Sequence, residues 1–194
     1  MNKRQGVATF SGTGTDGKYY LYMETIGCCA GGRSYKDGSD RIQVHVTNTS
    51  NLPVEALENE YPLLVDRYEL IEDSGGAGKW RGGLGLRRVY RGIDHTLTFS
   101  GQGERAVKAP WGLFGGESGG TAAISLLSDN GKREALAIKP ASLEVEPGVA
   151  VCIETAGAGG YGLATEREIK SLEDDYKSNK FSKEFMREFY NYEI

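Results

Sequence analysis

With 194 residues the chain is long enough to bury one sizeable core without disulfide or metal staples. Its 23 Lys and Arg against 27 Asp and Glu leave a net charge of −4, which gives no broad electrostatic reason to expect nucleic acid or an anionic membrane as partner. The unusual count is 28 glycines beside only 5 prolines, which fits neither a collagen period nor a disordered linker and points to tight turns and backbone-lined surfaces in a β-rich protein.

The opening MNKRQGVATF leads into no signal-like apolar core, and no apolar run reaches the ~20 residues of a membrane span. KYYLYMETI at 18–26 predicts a strand, broken sharply by the loop GCCAGGR at 27–33. RIQVHVT at 41–47 alternates Ile42, Val44 and Val46 with Gln43, His45 and Thr47, as a half-buried strand does. NTSNLPVEALENEYP then predicts a turn and a short helix, with Asn51 as cap and Pro53 in the first turn. Glu55 and Glu58 lie three apart on one face of it, a spacing that serves either a paired-carboxylate site or a solvated face.

Further strands are predicted at 67–72, 84–91, 95–101, 121–128, 134–139 and 149–155, separated by turns such as SDNGK and EPGV. Arg87-Arg88-Val89-Tyr90-Arg91 fits the solvated side of one of them. This regular spacing predicts a mainly β (α+β) protein, with a glycine-rich sandwich or barrel-like body over 1–162. From 163 to 194 a helical tail is expected. Thr165-Glu166-Arg167-Glu168 has the form of a capping box, Ile169, Leu172 and Tyr176 make an apolar stripe, and a second helix starts near Ser182 with Phe185, Met186, Phe189 and Tyr190 on one face. Two such short helices must dock on the body or on a partner to bury their stripes.

The residues that could carry chemistry are few. In DSGGAGKWRGGLGLRR at 73–88, Gly78-Lys79 suggests a phosphate loop, but Asp73 stands where that motif needs its first glycine and Trp80 where it needs Ser or Thr. His45 and His95, the only histidines, have no second histidine or cysteine at ligand spacing, so no metal site is predicted on this chain. Cys28, Cys29 and Cys152 are an odd number suited to a reduced, cytoplasmic setting, and Cys28-Cys29 sit where small residues fit. Four glycine-rich loops remain, at 27–33, 73–88, 111–120 and 155–162. They can shape a ligand surface or simply satisfy crowded turns.

ETIGCCAGGRSYKDGSD, VTNTSNLPVEALENEYPLLVDRYELIEDSGGAGKWRGGLGLRR, GERAVKAPWGLFGG and ETAGAGGYGLATERE, in this order, resemble the C-terminal part of the hydantoinase B / 5-oxoprolinase family. The resemblance runs from about Tyr19 to about Tyr190 and identifies 73–88 with the family's DSGG-G--RGG-G--R signature. Cys28-Cys29 and Ala158 depart from a pattern in which glycines are common at these places. Members include ATP-dependent hydantoinases, 5-oxoprolinases, lactam hydrolases and the large subunits of acetone and acetophenone carboxylases.

The resemblance implies a C-terminal piece of a split B-type subunit, working with an N-terminal hydantoinase B-type subunit and a hydantoinase A-type ATPase subunit on a small-molecule substrate. Its function would be that of one component of an ATP-dependent cyclic-amide hydrolase acting on hydantoin, 5-oxoproline or a related lactam. The alternatives are a subunit of an acetone-type carboxylase and a non-catalytic assembly subunit. This chain alone is expected to bind no cofactor, with ATP, magnesium and a divalent metal on the partners. Glu55, Glu58 and Arg105 are the catalytic candidates that follow, and Asn48, Asn51, Arg81 and Arg87 the substrate-binding ones. Arginine suits phosphate or carboxylate through paired hydrogen bonds.

Overall fold

The computed structural model describes residues 5–43 and 49–193. Ten strands form two five-stranded antiparallel sheets. Sheet 1 holds β1 (Gln5–Thr13), β2 (Tyr19–Cys29), β3 (Asp40–Ile42), β6 (Leu97–Gln102) and β9 (Leu143–Val145), in the order β3-β2-β1-β6-β9. Sheet 2 holds β4 (Leu63–Leu70), β5 (Leu86–Gly92), β7 (Ala123–Ser128), β8 (Arg133–Ala135) and β10 (Val149–Glu154), in the order β4-β5-β10-β7-β8. The sheets face each other as a sandwich and do not close into a barrel.

Register decides which side chains face inward. Phe10 pairs with Tyr22 on one side and Phe99 on the other, and all three are buried. Phe10 lies 4.7 Å from the ring of Tyr90 on β5, so aromatic contacts bridge the two sheets. Burial of each such ring contributes about 1.5–3 kcal/mol. The same alternation turns Arg88 inward, which corrects the expectation of a solvated strand side: Arg88 is 0% exposed and its guanidinium meets Glu24 of β2 at 2.6 Å. Tyr90 donates to the same carboxylate at 2.5 Å.

Several boundaries differ from expectation. β2 continues through Cys29 instead of ending before residue 27. β1 and β9 were not anticipated, and the segment expected at 134–139 is reduced to Arg133–Ala135. The strand predicted over 41–47 is seen as Asp40–Ile42, while Val44, His45, Val46 and Thr47 lie outside the described residues.

Helix α1 (Val54–Glu60) anchors itself through the fully buried Leu57. Its cap position is Pro53, while Asn51 turns away and donates to the carbonyl of Thr25 at 2.9 Å. The chain becomes extended again at Tyr61, as the residue before Pro62 favours.

At the C-terminus a 3-10 turn (Ala164–Glu166) precedes α2 (Ile169–Lys177) and α3 (Lys183–Tyr190). The capping box is not formed, because Arg167 and Glu168 are extended and α2 begins only at Ile169. The start of α3 is as expected: Ser182 Oγ accepts from Phe185 N at 3.1 Å, and Asn191 in the left-handed region ends the helix. Leu172, Phe181, Met186 and Tyr190 pack against Ala77 and Leu84, so the helices dock on the body. No helix among the described residues is long and apolar enough to cross a membrane.

Candidate functional site

The four glycine-rich loops lie side by side as extended chains joined by backbone hydrogen bonds. Residues 157–162 occupy the middle. Ala158 N donates to Gly83 O, Gly157 N to Gly120 O, Tyr161 N to Trp80 O and Gly160 N to Glu117 O, while Gly32 N donates to Gly159 O. Glycine is required because the backbones touch. A Cβ at Gly82 would sit 1.9 Å from Ala158 O, and one at Gly159 would sit 2.1 Å from Trp111 O. Cys28, Cys29 and Ala158, which stand where glycines were expected, form one buried cluster. The Cys29 thiol donates to Ala156 O at 3.3 Å, and Cys28 contacts the same oxygen. The two departures therefore fill a single space.

Asp73 is the reason 73–88 is not a phosphate loop. Its carboxylate accepts from Ser182 N at 2.8 Å and from Ser182 Oγ at 2.6 Å, tying the stretch to the start of α3. Lys79 pairs with Glu166 at 3.2 Å on the surface.

Two clefts border this layer. The first, about 290 Å³, is lined by Arg41, Gln43, Ser50, Asn51 and Tyr68 among others. Arg41, in the left-handed region at φ 51, lays its guanidinium 4.4 Å from the centre of the Tyr68 ring. The second, an open cleft of about 450 Å³, gathers Arg105, Lys108 and Lys139 beside Glu104. Arg105 has φ 68 and its guanidinium lies 5.3 Å from the Trp111 ring. Three cations around one carboxylate suit an anionic group. The two clefts share no lining residue.

The sequence candidates are therefore dispersed. Asn51 lines the first cleft and Arg105 the second. Glu55 is exposed on α1, and Glu58 accepts from Val65 N at 2.9 Å, fastening α1 to β4. Arg87 lies on the outer face of sheet 2 between Glu69 and Glu154, at 2.7 Å from each. Asn48 lies outside the described residues. Sequence reasoning missed Arg41 of β3 and the loop residues Lys108 and Lys139, single cations with no motif around them.

Arg81 is 5% exposed and donates to Asp40 at 3.0 and 3.1 Å, to Asp175 at 3.1 Å and to the carbonyl of Gly82 at 3.0 Å. Arg167 joins the same buried group through Asp37 at 2.7 Å and Asp175 at 2.6 Å. Burial alone would raise the Asp37 carboxyl, but the hydrogen bonds and charge of Arg167, helped by Arg81, hold it below the usual carboxylate value. On sheet 2, Glu154 is lowered in the same way: Arg87 and Arg133 outweigh the effect of burial. Among the described residues no group of three or more His, Cys, Asp or Glu could hold a metal ion.

These two depressed carboxyls set a pH dependence. A group whose folded pKa is lowered stabilises the fold fully above its unfolded value, about pH 4, and that stabilisation drains away as pH falls through the folded value. The unfolding free energy in urea should therefore be level near neutrality and fall below about pH 4. Asp37→Asn should make the acid limb shallower. A fold that gains stability on acidification would contradict these ion pairs.

Comparison with known proteins places the chain. The family model described as Hydantoinase B/oxoprolinase matches residues 2–164. An uncharacterized protein of Methanocaldococcus jannaschii is 42% identical over 166 residues, which cover 86% of this chain and 29% of that protein. A protein of Pseudomonas sp. (strain NS671), named as the B-type subunit of a D-/L-hydantoinase, is 34% identical over 181 residues, covering 92% of this chain and 30% of its own. Among solved structures, the ATP-dependent caprolactamase from Pseudomonas jessenii superposes with a TM-score of 0.85 at 22% identity, over 97% of this chain and 34% of that one. A nucleotide-free acetone carboxylase superposes with a TM-score of 0.77 at 18% identity, over 95% of this chain and 29% of that one. At such identities the two structures speak for the fold. The chain spans under a third of the length of these two curated relatives.

Proposed function

From the premise that this chain belongs to the hydantoinase B/oxoprolinase family, we propose that it forms part of an ATP-dependent cyclic-amide hydrolase acting on hydantoin, 5-oxoproline or a related lactam. The observation that carries this reading is the 34% identity, along nearly the whole chain, to a protein named as a hydantoinase component. The likeness to the carboxylase, at 18% identity, supports a shared fold and does not by itself favour ketone carboxylation.

In the proposed reaction the γ-phosphoryl group of ATP passes to the amide oxygen. Water attacks the ring carbon, the carbon–nitrogen bond breaks, and the products are the ring-opened acid, ADP and inorganic phosphate. An A-type ATPase subunit handles the nucleotide, and a B-type polypeptide matching the rest of the relatives' length carries a divalent metal. The cluster of Arg105, Lys108 and Lys139 supplies positive charge suited to a carboxylate or phosphate. Asn51 supplies a neutral hydrogen-bonding group in the other cleft, while Glu55 remains an exposed carboxylate on α1. Arg81 and Arg87 already spend their donors on protein carboxylates, so within this reading they tie elements of the fold together and leave anion contact to the other cleft residues.

The test is reconstitution with the A-type subunit and the remaining B-type polypeptide, measuring ATP hydrolysis with hydantoin, 5-oxoproline or caprolactam. Turnover dependent on one cyclic amide and independent of bicarbonate is expected. A strict bicarbonate requirement would assign the carboxylase reaction instead. Arg105→Ala should lower turnover roughly 10- to 100-fold with the complex intact, the scale of a lost charged hydrogen bond. Full activity in both Arg105→Ala and Glu55→Ala would make this chain an assembly subunit.

A further inference from the structure

The outer faces of the two sheets are chemically opposite. On sheet 2, Arg87 bridges Glu69 and Glu154, Arg91 bridges Asp66 and Asp129, and Arg133 adds a further pair with Glu154. Such a lattice of ion pairs is at home in water. On sheet 1, register puts Val7, Thr9, Ser11 and Thr13 of β1 beside Thr25, Met23, Leu21 and Tyr19 of β2, with Thr98, Ser100 and Gln102 of β6 beyond them. None of these outward side chains is charged. Among the described residues, the first charge met from β2 through β1 and β6 is Glu144 of β9, opposite Thr98.

This face also carries large exposed apolar groups. Tyr19, Leu21 and Met23 are 70%, 59% and 68% exposed, although a strand with one buried face normally turns polar residues to water. From strand spacing and rise, the three strands cover roughly 14 Å by 27 Å, about 400 Å². Within it Tyr19, Leu21 and Met23 form one contiguous exposed apolar stripe along β2, with Val7 beside it on β1, and an exposed apolar stripe framed by uncharged polar residues suits docking of another polypeptide. The relatives show how much polypeptide is available to cover it: this chain matches 29–30% of the length of the two curated relatives, and 34% of the caprolactamase chain.

We infer that the outer face of sheet 1, centred on Leu21 and Met23, docks the B-type polypeptide that corresponds to the two thirds of its relatives this chain does not span. The occupant presents an uncharged, largely apolar surface, since a charged one would find no partner on this face. This inference rests on the proposed membership of a larger B-type assembly, while sheet 2 keeps its charged face toward solvent.

The experiment is affinity capture of the co-expressed remaining B-type polypeptide by the tagged chain, with three forms compared. The parent should capture it. Leu21→Glu combined with Met23→Glu should weaken capture roughly a hundredfold, the order that stranding an unpaired charge in an interface costs. Arg67→Glu, on the outer face of sheet 2, should capture as the parent does. Thermal unfolding of the isolated forms should coincide, since Leu21 and Met23 are exposed.

Capture by the double variant equal to the parent's, or no capture by the parent, would overturn the inference. Sedimentation of the isolated chain as a dimer that the double variant dissolves would assign the face to a second copy instead. ATP hydrolysis by the captured complex is read separately. Capture through this face without amide-dependent turnover overturns the proposed reaction alone, and turnover with an undisturbed double variant overturns the docking face alone.

Discussion

Asp175→Ala should lower the unfolding free energy by roughly 3–5 kcal/mol, the cost of removing one partner from a buried charge group. The Asp175 side chain is 4% exposed and faces Arg81 at 3.1 Å, Arg167 at 2.6 Å and Lys180 at 3.8 Å. Its loss leaves Arg81 and Arg167 facing each other without the carboxylate between them, where water cannot compensate. Two elements also lose their tie, because Arg81 belongs to the glycine layer and Asp175 to α2. Glu173→Ala is the comparison: Glu173 pairs with Lys177 at 3.5 Å on the exposed side of the same helix, and its removal should cost no more than about 0.5 kcal/mol. Urea unfolding of the two variants measures the difference. A cost below about 1 kcal/mol for Asp175→Ala would show that the group contributes little.

Glycines of the layer should divide sharply by position. In Gly157→Ala the new Cβ would stand 1.6 Å from Ser74 O, a backbone atom held by its own bond from Gly120 N. No side-chain rotation can relieve that contact, so the segments must part. The variant should lose more than about 4 kcal/mol or fail to accumulate as folded protein. At Gly31 the nearest atom to a Cβ is Gly159 O at 3.4 Å, ordinary contact, and Gly31→Ala should fold within about 1 kcal/mol of the parent. Soluble yield and near-ultraviolet circular dichroism distinguish the outcomes. If Gly157→Ala folds as well as Gly31→Ala, the close spacing of the chains is wrong.

The sequence was most informative where one element satisfied itself locally. The start of α3 could be read because Ser182 caps its own helix and the Phe185, Met186, Tyr190 stripe has a single period. β10 showed as a dense β-branched run, with Val149, Val151 and Ile153. β1 escaped notice because Gly6, Gly12 and its hydroxyl residues dilute the pattern, leaving Ala8 and Phe10 as its buried pair. The capping box failed for a tertiary reason. Arg167 is drawn into ion pairs with Asp37 and Asp175, which holds residues 167 and 168 extended where the local motif wants a helix.

The candidate site was harder to read because basic residues announce charge and not its partner. Arg81 and Arg87 have the residue type of an anion contact, yet their carboxylates come from Asp40, Asp175, Glu69 and Glu154, far away in the chain. Arg88 differs from its neighbour Arg87 by one step of strand alternation, and that step moves it from the ion lattice into the core. The glycine loops were visible as loops. That they form one layer follows only from long-range hydrogen bonds.

That layer, together with sheet 2, gives the polypeptide an awkward order of manufacture. β5 and β7 do not touch and are joined only through β10, and the chain that continues from β10 is the one to which the other three glycine segments are bonded. On the ribosome, synthesis proceeds from the N-terminus at about 5–20 residues per second. The β1–β2 hairpin can close within moments of emerging, but residues 149–162 must be made before sheet 2 has a centre or the glycines a neighbour. Until then the nascent protein holds unpaired strands and bare backbone amides, the state most exposed to aggregation and to chaperones. The late arrival of residues 149–162 therefore makes them the closing piece of both sheet 2 and the glycine layer, joined from the C-terminal side inward.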